Sequence, residues 1–179
     1  GWTDTISTIG YSTILSGNLN KIDAVNDQYD YIGNGYNNKI SNASYSNILN
    51  GYNHLITVDF STIGSGYNDT LVGQHSAILA GHENYLSMSG GFIASGAGNK
   101  GRAFNATILN GNSNTIDSLS HFGFIANGQG NNIDNDVTYS TITSGYFNSI
   151  AANGFTFVSG NETTNDFNMG IVRLPSSFA

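Results

Sequence analysis

A short pattern of apolar and polar positions repeats along the chain, and residues 45 to 56 show it most clearly. With Ile48 as position zero, a serine lies at minus two, a glycine at plus three, an asparagine or another polar residue at plus six, and an aliphatic residue at plus eight. Successive copies begin 15 to 18 residues apart. Self-similarity at a nearly fixed period predicts an array of short, stacked units.

Nearly every copy supplies one residue at each of four positions. Position zero is held by Ile14, Ile32, Ile48, Ile63, Ile78, Ile93, Ile108, Ile125 and Ile142, and by Phe157 in a degenerate last copy. The plus-three glycines are Gly17, Gly35, Gly51, Gly66, Gly81, Gly96, Gly111, Gly128, Gly145 and Gly160. Plus six is held by Asn20, Asn38, Asn84, Asn99, Asn114, Asn131 and Asn148, with His54, Asp69 and Thr163 as departures. Plus eight is held by Ile22, Ile40, Ile56, Leu71, Leu86, Gly101, Ile116, Ile133 and Ile150.

The repeats also define the expected domain organisation. Gly1, Asp4 and Ile6 match plus three, plus six and plus eight of an earlier copy, so we expect the sequence to begin inside a repeat of a longer chain. We predict a repeat domain over residues 1–160. Residues 161–179, where the pattern decays, are expected to form a cap or a lead into a further module.

The period and the residue types predict β-structure. Helical repeats need about 33 residues, and glycine and asparagine are poor helix formers. Side chains alternate across a strand, so minus two and zero share one face, as do plus six and plus eight, and we assign both faces to the interior. The predicted fold class is all-β, a parallel β-solenoid (β-roll or β-helix) of about ten coils.

Three local features follow from this fold. The glycine at plus three is the position most expected to need a left-handed backbone. Stacked asparagines at plus six are expected to hydrogen-bond to the coils above and below, which satisfies polar groups in a thin core. Insertions at residues 23–28, 57–59, 117–120 and 134–138 are expected on one edge of the solenoid.

The outward face of the first strand carries a second pattern, with a period of two coils. At plus one, leucines in alternate coils are separated by glycine or alanine, and three of the coils with a small residue there carry an aromatic ring at minus one. Such exchange of large and small side chains is expected of a packed surface. We predict an oligomer interface, most simply in a parallel homotrimer, formed by Leu15, Tyr31, Leu49, Leu79, Phe92, Leu109 and Phe124.

Two aromatic columns run along the array. The column at minus three is expected to stack at a corner; it comprises Tyr11, Tyr29, Tyr45, Phe60, His75, Phe122 and Tyr139. The column at plus four follows the glycine turn in consecutive coils and is expected to be more exposed; it comprises Tyr36, Tyr52, Tyr67 and His82. We predict that the second column binds a glycan or receptor, and the rival interpretation is that it only packs over neighbouring turns.

Composition and charge narrow the range of partners. The chain has a net charge of -7 with only five basic residues. This argues against nucleic acid and anionic membrane as partners, since both are bound through lysine and arginine. No apolar run approaches the ~18 residues of a membrane span, so membrane insertion is not expected.

The sequence predicts neither a catalytic site nor a metal-binding site. Asp23 and Asp27, and likewise Asp134 and Asp136, lie in insertions without metal-ligand spacing and are interpreted as solvated acidic loops. The four histidines occupy repeat positions that asparagine or aromatic residues hold elsewhere. We therefore predict a protein that is not an enzyme and needs no cofactor.

The segment Tyr45-Ser46-Asn47-Ile48-Leu49-Asn50-Gly51 and its copies resemble the head repeats of trimeric autotransporter adhesins, which form trimeric left-handed β-rolls. They are still more similar to the Tyr-Ser-x-Ile-x-x-Gly-x-x-Asn-x-Ile arrays of bacteriophage and large-virus fibre and tail proteins. The resemblance covers about residues 1 to 160, although these coils are slightly longer than those of the adhesin heads.

This resemblance implies a homotrimeric left-handed roll that acts in attachment, outside the cell, as a viral fibre or tail-fibre segment at the virion surface. Its expected partners are a cell-surface glycan or protein receptor and other modules of the parent fibre. An alternative is an autotransporter-type adhesin head at the bacterial surface. A remote alternative is ice binding, for which the minus-one column, with tyrosine and phenylalanine among its threonines, is too uneven.

Overall fold

The computed structural model describes residues 3–7, 10–23, 29–151, 156–162, 164–165 and 170–173. Within these ranges the chain winds into a parallel β-solenoid of short strands, bends and turns, without a helix. This confirms the predicted fold class. Single bridges join the plus-four residues of nine successive coils, from Asn18 to Tyr146, and form a narrow third side.

Two parallel sheets of eleven strands each form the broad sides of the solenoid. The first sheet consists of β1 (Thr5–Ser7), β3 (Lys21–Asp23), β5 (Lys39–Ser41), β7 (Leu55–Ile56), β9 (Thr70–Leu71), β11 (Tyr85–Leu86), β13 (Lys100–Gly101), β15 (Thr115–Ile116), β17 (Asn132–Ile133), β19 (Ser149–Ile150) and β21 (Thr164–Asn165). The second consists of β2 (Thr13–Ile14), β4 (Tyr31–Ile32), β6 (Asn47–Ile48), β8 (Thr62–Ile63), β10 (Ala77–Ile78), β12 (Phe92–Ile93), β14 (Thr107–Ile108), β16 (Phe124–Ile125), β18 (Thr141–Ser144), β20 (Thr156–Ser159) and β22 (Gly170–Arg173). Neighbouring strands come from successive coils, so equivalent residues such as Ile48 and Ile63 lie side by side.

The interior is thin and formed by the two predicted isoleucine columns. Position-zero residues from Ile32 to Ile142 are fully buried, as are the plus-eight side chains from Ile22 to Ile150. Burying one such side chain contributes about 1.5–3 kcal/mol. Gly101 has no side chain at plus eight, and Leu86 of the preceding coil lies in the space that a side chain there would need. The predicted inward faces are confirmed.

The asparagines at plus six form a hydrogen-bonded column, as predicted. In the coil of Asn114, Oδ1 of Asn99 accepts hydrogen bonds from the backbone N–H and the Nδ2 of Asn114, both at 3.1 Å. The same Nδ2 donates onward to the backbone carbonyl of Gly128, at 2.9 Å. Each amide thus bonds to the coil before it and the coil after it, which ties the coils together where no water reaches the polar groups.

The glycine at plus three meets two separate constraints. Gly111 has a φ of 116°, within the region that residues with a Cβ avoid. A Cβ there would also lie 2.1 Å from the carbonyl oxygen of Gly128 and 2.6 Å from Nδ2 of Asn114. The asparagine column therefore needs glycine beside it, because any side chain would enter the path of its hydrogen bonds.

The described insertions share one corner of the solenoid. Residues 57–59, 117–120 and 134–138 each connect a strand of the first sheet to the next strand of the second sheet. Val137 is buried at this corner and Val58 packs against the core, so the insertions extend the interior as well as the surface. Of the insertion predicted at 23–28, residues 24–28 lie outside the described residues.

The prediction for the last copy is wrong at position zero. Val158, not Phe157, pairs with Ile142 and is fully buried, while Phe157 pairs with Thr141 and points outward. A bulge between Ile142 and Ser144 accompanies the shifted register. A thin interior lined by aliphatic side chains accommodates valine better than a phenyl ring.

Strand pairing extends to both ends of the described chain. Ile6 pairs in register with Ile22 but is 46% exposed, because it lies in the outermost described strand of the first sheet. Beyond residue 160, where the sequence pattern decays, β21 and β22 each add one strand to a sheet.

Candidate functional site

An exposed apolar stripe runs along the outer face of the second sheet. Its leucines Leu15, Leu49, Leu79 and Leu109 are 65%, 52%, 48% and 39% exposed. In the intervening coils plus one is held by the small residues Gly33, Gly64, Ala94 and Ala126. We call this surface, with the minus-one aromatic residues beside it, the leucine stripe.

The aromatic residues of the leucine stripe occupy the coils that lack leucine. Tyr31 folds over Gly33 in its own coil, where a Cβ on the glycine would lie 3.2 Å from the tyrosine ring. Phe92 and Phe124 are half-buried at the equivalent position. The corrected register adds Phe157, which is 41% exposed and extends the alternation by two coils. All seven residues predicted for the oligomer interface therefore lie on one face, although the structure holds a single chain.

The tyrosines at plus four stack on one another. The ring centroids of Tyr36 and Tyr52 are 5.1 Å apart at an interplanar angle of 8°, and those of Tyr52 and Tyr67 are 5.1 Å apart at 20°. The three rings are 40–47% exposed. Each inner ring face is covered by the next ring, so this tyrosine ladder presents edges and hydroxyl groups to solvent. His82 continues the backbone ladder in the next coil.

The ladder is interrupted after His82. The next three plus-four residues are Ala97, Asn112 and Gln129, and an aromatic ring returns only at Tyr146. The loss of three rings leaves an open groove of about 790 Å³ above the plus-three glycines. We call it the plus-four groove; His82 and Tyr146 line it at opposite ends of the gap.

Uncharged amides line the plus-four groove. Asn112 and Gln129 come from the plus-four column, and Asn110 and Asn127 lie two residues earlier in their coils. Oδ1 of Asn110 accepts a hydrogen bond from Ser95, and Oδ1 of Asn112 accepts one from Ser113. Within the described part of the chain, the side-chain amides of Asn127 and Gln129 make no hydrogen bond. The groove thus offers both donors and acceptors.

The minus-three column has the structural role predicted for it. Consecutive rings from Tyr11 to His75 stack with centroids 5.0–5.3 Å apart, and Phe122 stacks on Tyr139 at 4.9 Å. Tyr45 and Phe60 have φ values of 57° and 54°, so the rings are carried by left-handed residues at a corner. Stacking of this kind contributes about 0.5–1.5 kcal/mol per pair, which offsets part of the backbone strain.

Two adjacent substitutions interrupt the asparagine column inside the core. Nδ1 of His54 accepts the backbone N–H of Asp69 at 3.1 Å, so the proton of the neutral ring is on Nε2. Oδ1 of Asp69 accepts from the backbone and the side chain of Asn84, but the buried Oδ2 has no hydrogen-bond partner. Burial lowers the pKa of His54 to about 4, and burial raises the pKa of Asp69. The His54 ring is therefore neutral at pH 7, and burial shifts Asp69 toward its protonated form.

Asp30 is a second buried acid, at minus two, where five other coils carry serine. Its Oδ1 accepts the backbone N–H of Ser46 at 2.9 Å, and its Oδ2 is buried without a partner. Burial raises the pKa of Asp30 to about 6, because the charged form loses its hydration. The charge of Asp59 raises the pKa further, and Oδ1 of Asp59 accepts the backbone N–H of Ser44 at 2.8 Å. Since each acid accepts a backbone N–H of the coil that begins near residue 44, we interpret Asp30 as a structural substitution.

The acidic loops do not form a metal site in the described part of the chain. No group of three or more histidine, aspartate or glutamate side chains lies close enough there to hold an ion. Asp23 pairs with Lys21 at 2.8 Å, and Asp134 accepts a hydrogen bond from Asn132. Asp27 lies outside the described residues.

Comparisons with known proteins assign no family to the chain, so its class is stated from its fold. No protein-family model matches the sequence, and no curated protein matches it significantly. The described residues contain no helix of the length and apolarity that a membrane crossing requires. The chain is a parallel β-solenoid repeat protein with a leucine stripe, a tyrosine ladder and a plus-four groove.

Sequence reasoning identified the stripe and the ladder but missed the groove. The signal was present in the plus-four column, which changes from aromatic residues to Ala97, Asn112 and Gln129 and then returns to Tyr146. A run of small and polar residues within an otherwise aromatic column marks a gap once the coils are known to stack in register.

Proposed function

We propose that this chain is a rigid segment of an extracellular attachment fibre at a virion or bacterial surface. In this proposal three parallel copies assemble through the leucine stripe and present their outer sides to a glycan or receptor. Nine coils at about 4.8 Å each give a shaft roughly 43 Å long for this segment. An autotransporter-type adhesin head has the same design at a bacterial surface and belongs to the same functional class.

The observation that carries the proposal is the exposure of the leucine stripe. The solenoid already closes its own interior with two isoleucine columns, so the stripe contributes nothing to the core of a single chain. Contiguous apolar surface on a soluble protein marks an interaction site. Leucine at plus one exchanges with an aromatic ring at minus one in three of the intervening coils, and such volume compensation is expected of a surface that packs against a second copy.

Light scattering on the purified chain tests this assembly. We expect a mass of three times 18.9 kDa at micromolar concentration. The double variant Leu49→Glu/Leu79→Glu is expected to dissociate to the monomer, because it places charges in an apolar interface. The matched control Thr70→Glu/Thr115→Glu adds the same charge to the outer face of the first sheet and is expected to leave the mass unchanged. A wild-type mass of 18.9 kDa would contradict the proposal.

The tyrosine ladder with His82 is the recognition surface that we propose for the fibre. Its stacked rings are held on tight turns, so little ordering entropy opposes binding. Three copies in a trimer would engage a crowded surface together, and this raises the effective concentration of each weak contact. Exposed ring edges and phenol groups suit hydrogen bonding to sugar hydroxyls, whereas stacking on a sugar face requires a ring without a covering neighbour.

Replacing Tyr36, Tyr52 and Tyr67 together by serine tests the ladder. We expect loss of attachment to cells or to a glycan array, with the oligomer mass unchanged. Attachment at the wild-type level by a folded triple variant would assign these rings to packing alone and move recognition elsewhere on the fibre.

A further inference from the structure

We infer that the plus-four groove binds a chain of neutral sugars. This deepens the proposed attachment function and rests on it, because it names a second recognition surface and the chemical class of its ligand. The groove and the tyrosine ladder occupy the same side of the solenoid in successive coils, so one glycan chain lying along the axis can reach both.

The dimensions of the groove suit an oligosaccharide. His82 and Tyr146 are four coils apart in the plus-four column. At about 4.8 Å per coil, the open stretch between them is roughly 19 Å long. The repeat between coils is comparable with the length of one pyranose unit in an extended glycan, so successive sugars meet equivalent groups. A ligand with its own regular repeat therefore matches this surface better than a compact small molecule does.

The ends of the groove provide aromatic rings without a stacked partner on the groove side, unlike Tyr52, whose two faces are both covered. His82 is followed by Ala97, and Tyr146 is preceded by Gln129, so neither ring has an aromatic neighbour in the plus-four column on the groove side. Phe147 meets Tyr146 edge to face at 90° and lies over Gly130 in the preceding coil, so the two rings together form this end of the groove. Rings with an uncovered face can stack on the apolar face of a sugar, which the inner tyrosines of the ladder cannot do.

The side walls of the groove provide hydrogen-bonding groups without charge. The amides of Asn127 and Gln129 have no partner among the described residues, and Nδ2 of Asn110 and of Asn112 donates no hydrogen bond there. An amide offers a donor and an acceptor close together, which matches the paired hydroxyl groups of a sugar. Solvated amides lose little when they exchange water for a hydroxyl group, so recognition depends on several of them acting together.

Charge decides between neutral and acidic glycans. No lysine, arginine, aspartate or glutamate lines the groove, and the chain as a whole has a net charge of -7. Uronic acids, sialic acids and sulfated sugars would approach a negative protein and find no cation to pair with. A neutral hexosan or an N-acetylated hexosamine chain meets neither obstacle.

The repeat itself supplies a variant that fills the groove. In Ala97→Tyr/Asn112→Tyr/Gln129→Tyr, the aromatic ladder continues from His82 to Tyr146 without a gap. Tyrosine already occupies the same position in three consecutive coils, so the backbone accepts the substitutions. We call this the filled variant, and its melting temperature and oligomer mass verify its fold.

Isothermal titration calorimetry of the intact oligomer tests the site, with cellohexaose, maltohexaose, N-acetylchitohexaose and the acidic hexagalacturonate as probes. We expect at least one neutral hexasaccharide to bind the wild type and hexagalacturonate not to bind. The filled variant is expected to lose at least tenfold in affinity for the neutral probe. Asn112→Leu/Gln129→Leu, which keeps the groove open but removes two amides, is expected to lose tenfold as well, and it decides the question if the filled variant does not fold.

Two results would overturn the inference. If no neutral hexasaccharide binds, or if the filled variant binds as tightly as the wild type, the groove is not the site. Neither result affects the oligomer mass or the effect of the triple serine variant of the ladder, so the fibre proposal can stand when the groove proposal fails.

Discussion

Nδ1 of His54 lies 3.6 Å from Oδ2 of Asp69, and neither of these buried atoms donates a hydrogen bond to the other unless the carboxyl group carries a proton. In the neighbouring coils the equivalent place is taken by the Nδ2 of an asparagine, which donates both to the preceding coil and to the following one. Among the described residues of the column from Asn20 to Asn148, Asp69 is therefore the one that presents an oxygen where the column needs a hydrogen-bond donor.

Asp69→Asn is expected to stabilise the solenoid. The new Nδ2 would donate to the carbonyl of Gly81, as Nδ2 of Asn84 does to that of Gly96 at 3.0 Å, and would satisfy a position that is now unpaired. Nδ1 of His54 has one lone pair, which the backbone N–H of Asp69 already occupies. Pairing one buried polar group contributes about 1–3 kcal/mol. Thermal or chemical denaturation at pH 7 measures the change in the free energy of unfolding.

The converse change, Asn114→Asp, is the matched control for Asp69→Asn, because it places a carboxyl group in an intact part of the same column. We expect the free energy of unfolding to fall by about 1–3 kcal/mol. The loss should be larger at pH 7 than at pH 4, because burial disfavours the charged carboxylate and keeping the group protonated costs more free energy as the pH rises. If Asp69→Asn lowers stability instead, the acid has a role beyond the column.

The buried acid Asp30 makes stability depend on pH. Its folded pKa of about 6 lies above the ordinary value of 3.8, so its contribution is fully present below pH 3.8 and is lost as pH rises through about 6. Relative to Asp30→Ser, the wild type should lose on the order of 2 kcal/mol between pH 4 and pH 7. A difference between the two proteins that does not change with pH would show that the acid is solvated.

His54 has the opposite pH dependence. Its folded pKa of about 4 lies below the ordinary value of 6.5, so the neutral ring contributes stability above pH 6.5 that is lost as pH falls through about 4. The free energy of unfolding of His54→Asn, relative to that of the wild type, should therefore rise from pH 7 to pH 4. Denaturation curves of the two proteins across this range measure this difference. A difference that falls on acidification would contradict the lowered pKa of His54.

Gly111→Ala is expected to destabilise the solenoid by about 2–4 kcal/mol, through backbone strain and loss of the hydrogen bond from Asn114 to Gly128. Gly98→Asn is the matched control: Gly98 has a φ of 61°, and a Cβ there meets only Ser113 Oγ, at 3.6 Å. Asparagine holds that repeat position with a similar φ at Asn53 and Asn68, so this change should be neutral or stabilising. Equal effects of the two substitutions on the melting temperature would refute the close-approach argument.

Tyr52→Ser removes the middle ring of the tyrosine ladder, and with it two stacked pairs. We expect a loss of about 1–3 kcal/mol, since each pair contributes about 0.5–1.5 kcal/mol. Ala97→Tyr, which adds a ring next to His82, is the complementary variant and should be neutral or stabilising. Melting temperatures of both test whether stacking supports the shaft, and an unchanged value for Tyr52→Ser would show that it does not.

The sequence by itself determined the coil, because a residue that faces a thin interior has few alternatives. Isoleucine at zero, glycine at plus three and asparagine at plus six each satisfy a constraint that recurs in every coil, and the repetition made the strands, the turns and the inward faces predictable. The outward alternation of Leu49 with Gly64 and of Leu79 with Ala94 was readable for the same reason.

Only the tertiary structure decided features that depend on how neighbouring coils meet. Val158 replaces Phe157 in the interior because a bulge shifts the pairing of the last coils, and a bulge has no signature in a degenerate copy. The tyrosine rings cover one another because the coil spacing matches the stacking distance of about 5 Å. The plus-four groove exists only where three small or polar residues lie in register between His82 and Tyr146, and that register is a property of the folded solenoid.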